Sequence, residues 1–155
     1  MSFRIRGLDP AAFQPLFGRS EADLAALGVR RLIADAKPGF PDRIELRDVE
    51  PGESVLLLNY VHQPADTPFR ASHAIFVREG ATRAYDARNE LPEVLLIRSI
   101  SLRAFDAEGM LREADLAAGD AVQAAIARLL ADRNIAYVHA HYARPGCYAA
   151  RIDRA

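Results

Sequence analysis

Cysteine, lysine and long apolar runs are what this sequence has least of. Cys147 is the only cysteine in 155 residues, so no disulfide can form within the chain, and a reducing cytoplasm is the expected compartment. The longest apolar runs, such as Val55-Leu56-Leu57-Leu58, are too short to cross a bilayer. Met1-Ser2-Phe3-Arg4-Ile5-Arg6 has no apolar run after its basic residues and does not read as a signal peptide. Lys37 is the only lysine among 20 basic residues. With so many alanines beside the arginines, a GC-rich genome explains that bias more simply than bidentate capture of carboxylate or phosphate. The formal net charge of -1 gives no field to draw in nucleic acid or an anionic membrane, so neither is expected as a partner.

Familiar catalytic signatures are missing too. There is no phosphate-binding glycine loop, dinucleotide fingerprint, Gly-x-Ser-x-Gly elbow or His-Glu-x-x-His helix. No basic stretch interleaves with aromatics as in an RNA-binding sheet, and no carboxylates pair at a fixed spacing. Without internal repeats, low-complexity segments or a visible boundary, residues 1–155 are expected to form a single domain, long enough to bury about two thirds of the surface of its unfolded chain.

What is present alternates in short periods. Phe3–Leu8 reads as a half-buried strand. Asp9-Pro10 opens a helix with Phe13, Leu16 and Phe17 on its apolar face, and Ser20 caps a second one that buries Leu24 and Leu27 and stops at Gly28. Strands are expected over Val29–Ala34, Arg43–Leu46, Ser54–His62 and Ser72–Glu79, the third of these central and covered on both faces. Ala81–Pro92 reads as an exposed loop, Val94–Phe105 as extended, and Asp106–Gly109 as a hairpin turn into Met110–Glu113. Val122, Ile126, Leu129 and Leu130 form one stripe of a helix over Asp120–Asp132. A β-hairpin, Ile135–Tyr142 and Cys147–Ile152, closes the chain. Hairpin signals without repeated βαβ units argue for an α+β fold with a mainly antiparallel sheet.

That last hairpin gathers the reactive side chains. His139 and His141 are two residues apart on a strand and point the same way, as a pair sharing a divalent transition metal would. Cys147 joins their face if the connecting loop has an odd number of residues; if the loop is the four residues Ala143–Gly146, Tyr142 opposes Cys147 and the thiol lies on the other face. The plainer alternative keeps the histidines partly buried and hydrogen-bonded against the sheet, and Cys147 as a small buried hydrophobe. His62 and His73 stand at opposite ends of one loop, which folding can bring together, and either would complete a metal site or act as a general base.

Three functions follow. A metal pocket would use His139 and His141, with Cys147 or His62 as third ligand, for hydrolytic or redox chemistry in which Cys147 and His141 are the candidate catalytic groups. A small anionic molecule would be held by Arg70, Ser72, Arg78 or Arg151 without turnover. Otherwise the hairpin is structural, and the protein works as a homodimer or a partner-binding module. A pocket that binds a ligand or metal ranks slightly ahead of the structural reading, and whether it is an enzyme stays open.

Lys37-Pro38-Gly39-Phe40-Pro41, Arg70-Ala71-Ser72, Ile75-Phe76-Val77-Arg78-Glu79 and Gly146-Cys147-Tyr148-Ala149-Ala150-Arg151 resemble, nearly end to end, the family catalogued as the domain of unknown function numbered twelve hundred and three. The resemblance implies a single-domain bacterial protein and brings no activity with it. Two positions depart from the family's pattern: Asp42 stands where a cysteine is expected, and His73 where a glycine is expected. A site built on a thiol at position 42 would be altered here, while Cys147 remains.

Overall fold

Alternation in the strands and a 3.6-residue period near the C-terminus produce an α+β fold in the computed structural model, which describes residues 1–155. In chain order the strands are β1 (Phe3–Arg6), β2 (Arg30–Ile33), β3 (Ser54–Gln63), β4 (Ala71–Arg78), β5 (Asp86–Arg88), β6 (Ser99–Phe105), β7 (Leu111–Ala118), β8 (Tyr137–Tyr142) and β9 (Tyr148–Arg154). The helices are α1 (Glu21–Ala26), α2 (Glu93–Leu96) and α3 (Ala121–Ala131). Six strands form one sheet in the order β5-β1-β9-β8-β6-β7, and three form a second in the order β2-β3-β4. Every pairing between named strands is antiparallel.

The larger sheet is buried on both faces at its centre. Ile100, Leu102 and Ala104 of β6 and Val138, Ala140 and Tyr142 of β8 form the main core with Val122, Ile126, Leu129 and Leu130 of α3. The alternate residues of the same two strands, Ser101, Arg103, His139 and His141, face the other way, toward the smaller sheet. Contacts across this seam include the Tyr60 and Tyr148 rings, 5.9 Å apart, and Gln63 Nε2 donating to the Tyr137 hydroxyl at 2.8 Å. A second core of Leu56, Leu58, Ile75 and Val77 from the smaller sheet is roofed by Phe13, Leu24 and Val29 from the N-terminal segment.

Several local expectations shift for identifiable reasons. The helix expected after Asp9 is two 3₁₀ turns, Pro10–Ala12 and Gln14–Leu16, because Pro15 lacks the amide hydrogen that an α-helix would need there. Asp9 nevertheless caps the first turn, and Ser20 caps α1 by accepting from the Asp23 amide at 3.1 Å. Arg43–Leu46 is a turn and not a strand. The fully buried Asp42 carboxylate accepts the amides of Ile44 and Glu45 at 3.2 and 2.6 Å, which folds the backbone back on itself. Ala81–Pro92 contains β5, which pairs with the edge of β1. Val94–Phe105 is not extended throughout: Val94 and Leu95 are buried from the single turn of α2, and the strand starts only at Ser99.

A histidine cluster between the two sheets

Four histidines meet at the seam. β8 supplies His139 and His141, which lie opposite Arg103 and Ser101 of β6. In the smaller sheet His73 lies opposite Tyr60, and a register shift between Val61 and Gln63 leaves His62 outside the regular ladder. From there the His62 ring stacks on Tyr148, with centroids 5.2 Å apart and planes 9° apart, and stands edge-on to His141 at 4.9 Å.

One ring nitrogen from each of His62, His73 and His141 lies within 4.8 Å of the others. His62 Nε2 and His73 Nδ1 are 2.7 Å apart and share a hydrogen. His141 Nδ1 is 3.0 Å from the Gly146 carbonyl. A carbonyl can only accept, so Nδ1 carries the hydrogen and Nε2 is left as a lone pair, buried and without a partner. His62 Nδ1 and His139 Nδ1 are also buried and unpartnered. His139 is set back from the other three, its ring 5.8 Å from that of His62 and 6.4 Å from that of His141.

Burial and charge keep these rings neutral. Burial, reinforced by His73 and Arg103, pulls His62 down to about 4. Burial first, then the neighbouring histidines and arginines, pulls His139 and His141 down to about 3 each, against the Gly146 carbonyl that favours a charged His141. Burial followed by Arg103 lowers His73 as well. Arg103 has no ion-pair partner, and it adds to the positive field that opposes protonation. Neutral imidazole is the form that binds metals.

The hairpin settles the position of Cys147. Tyr142 N donates to the Cys147 carbonyl at 2.9 Å and Gly146 N to the Tyr142 carbonyl at 2.8 Å, closing the four-residue loop Ala143–Gly146. Tyr142 therefore opposes Cys147, and the thiol leaves the histidine face to accept from Arg43 Nη2 at 3.0 Å. A register shift between Ala140 and His141 then puts Tyr148 opposite His141, which returns Tyr148 to the histidine side. The fold thus brings His62 and His73 to the hairpin histidines, and Cys147 to an arginine.

The other expected ligand-binding residues lie outside the cluster of ring nitrogens. Arg70 donates to the Pro64 carbonyl, Ser72 is exposed, and Arg78 is paired with Glu45. Arg151, opposite His139, pairs with Asp153 and lies 4.1 Å over the Tyr137 ring. It still lines a cleft of about 510 Å³, together with Arg6, His62, His139 and Tyr148, on one side of the cluster. Arg43 and Tyr148 are not singled out by the sequence, whereas Arg103 is one of several arginines in or beside the expected strands that are open to an anion. Arg103 had a signal, since Ser101 and Arg103 share a face of β6. Arg43 had none, because the contacts that tie it to the hairpin, the Tyr148 carbonyl and the Cys147 thiol, lie more than a hundred residues away.

Fold and site together define an α+β domain with a histidine-lined seam between two antiparallel sheets. The chain belongs to the family described as protein of unknown function (DUF1203), which matches over residues 39–154. That span holds all four histidines and Cys147. No curated protein and no solved structure matches the chain. No helix is long and apolar enough to cross a membrane.

Proposed function

We propose that this chain binds a divalent transition metal, zinc foremost, between His62, His73 and His141. One observation carries the reading: three neutral imidazoles from three strands bring a nitrogen each within 4.8 Å of one another, with no carboxylate among them. Nitrogen ligands sit about 2.0–2.1 Å from zinc, so in a tetrahedral site they lie about 3.3 Å apart. The 2.7 Å contact between His62 and His73 opens by roughly half an ångström to admit the ion. The Gly146 carbonyl fixes the tautomer and direction of His141, as an outer partner does for most metal-bound histidines.

Three protein nitrogens leave a coordination position for water, and zinc lowers the pKa of such a water to about 7. His139, neutral and buried, would line the approach to that position from the cleft without itself taking up a proton. The chemistry this favours is hydrolytic, with iron or copper in the same ligands as the redox variant. Cys147 takes no part, since it lies on the opposite face of the hairpin.

Elemental analysis of untagged protein, purified without chelator, tests the proposal. Wild type is expected to carry close to one metal ion per chain, and a His62→Ala/His141→Ala variant with unchanged far-ultraviolet circular dichroism is expected to carry none. Absence of metal from wild type, together with no uptake when zinc is added to the purified protein, contradicts it.

A further inference from the structure

Behind the histidine cluster, on the thiol side of the hairpin, lies a second groove of about 850 Å³. Its lining includes Arg43, His73, Arg98, Tyr142, Arg144 and Cys147. Arg43 is 1% exposed and has no carboxylate partner. Its acceptors are the Tyr148 carbonyl at 2.8 Å, the Pro41 carbonyl at 2.6 Å and Cys147 Sγ at 3.0 Å. A guanidinium has more N–H donors than these acceptors use. Arg98 is paired with Asp48 at 2.6 Å, whereas Arg144 makes no ion pair or hydrogen bond.

Tyr142 supplies an independent sign of a ligand. The Arg43 and Arg98 guanidiniums lie 4.9 and 5.1 Å from its ring centre, and the residue is 2% exposed. Its hydroxyl is buried with no hydrogen-bond partner. A buried hydroxyl and a buried uncompensated cation are both costly to leave unmatched. One small oxyanion would satisfy the two together.

We propose that this groove binds a small oxyanion, a carboxylate or phosphate, between Arg43, Arg144 and the Tyr142 hydroxyl, with the Cys147 thiol against the bound molecule. Arg43 is locked from behind by two backbone carbonyls, so it is already oriented before the anion arrives. Arg144, exposed at the rim, closes on the anion from solvent. His73 forms the wall shared with the histidine cluster, but the binding needs no metal.

Inorganic phosphate and malonate are the probes, each titrated by calorimetry into chelator-treated, dialysed protein. At least one is expected to bind saturably and to slow alkylation of Cys147, the only cysteine, by iodoacetamide at least fivefold. Loss of a charge-assisted contact in Arg144→Ala is expected to weaken binding at least tenfold. Tyr142→Phe, which keeps the ring, is expected to weaken it severalfold, while the equally charge-reducing Arg88→Ala leaves it unchanged. Unslowed alkylation with both probes, or equal affinity in Arg144→Ala and wild type, overturns the proposal. Because the protein is metal-free, either result is separable from the fate of the metal reading.

Discussion

His141 Nδ1 donates to the carbonyl of Gly146 across the closing hairpin, at 3.0 Å. The turn that makes this possible needs Gly146 at φ +81°, in the left-handed region that glycine occupies without strain. The hairpin loop therefore orients the His141 ring as well as reversing the chain.

Gly146→Ala places a Cβ where nothing crowds it, so its cost is backbone strain alone. We expect a loss of about 1 kcal/mol in urea unfolding. Because the carbonyl that orients His141 shifts with the turn, zinc affinity is expected to fall about tenfold. Unchanged zinc affinity at reduced stability would separate the turn from the site.

Acid exposes the cost of holding the histidines neutral. Their unfolded pKa lies near 6.5, whereas in the folded chain His62 is held at about 4 and His139 and His141 at about 3. Below pH 6.5 the unfolded chain binds more protons than the folded one. The stability contribution is thus complete above 6.5 and is lost as pH falls through about 4 and about 3. Each histidine adds a slope of up to ~1.4 kcal/mol per pH unit in that window. Urea melts of metal-free protein between pH 7 and 4.5 should show it, and His139→Gln should flatten the profile.

Arg43 is expected to be a fold determinant as well as a groove residue. Arg43→Met keeps the stem but leaves the Tyr148 and Pro41 carbonyls without their donor. A loss of about 3 kcal/mol follows from buried acceptors left unmatched. Arg112→Ala removes an exposed partner of Asp106 and should cost under ~1 kcal/mol. Equal destabilisation by the two in urea would count against the buried role.

Legibility in the sequence followed the range of the interaction. The stripe Val122-Ile126-Leu129-Leu130 and the Ser20 cap depend on neighbours within a few residues, and both read directly. The shared face of His139 and His141 needed only the two-residue period of a strand. The side taken by Cys147 hung on the loop count, which the sequence left open and the Tyr142–Cys147 hydrogen bond decides. Asp42 folding Arg43–Leu46 into a turn, and Pro15 splitting a helix into two 3₁₀ turns, are local effects that apolar patterning hides. That Arg103 would lie opposite His139, or Arg43 reach Cys147, follows only from strand order and register, which no local pattern encodes.

The central claim is that His62, His73 and His141 hold one ion between the two sheets. Crystals of the zinc-loaded protein, with anomalous data collected on both sides of the zinc edge, test it most directly. The expected result is a single strong peak about 2.0–2.1 Å from a nitrogen of each of the three rings, His141 contributing Nε2, and the His62 and His73 nitrogens parted to about 3.3 Å. An empty cluster in zinc-soaked crystals, or an ion bound at Cys147 instead, would contradict it.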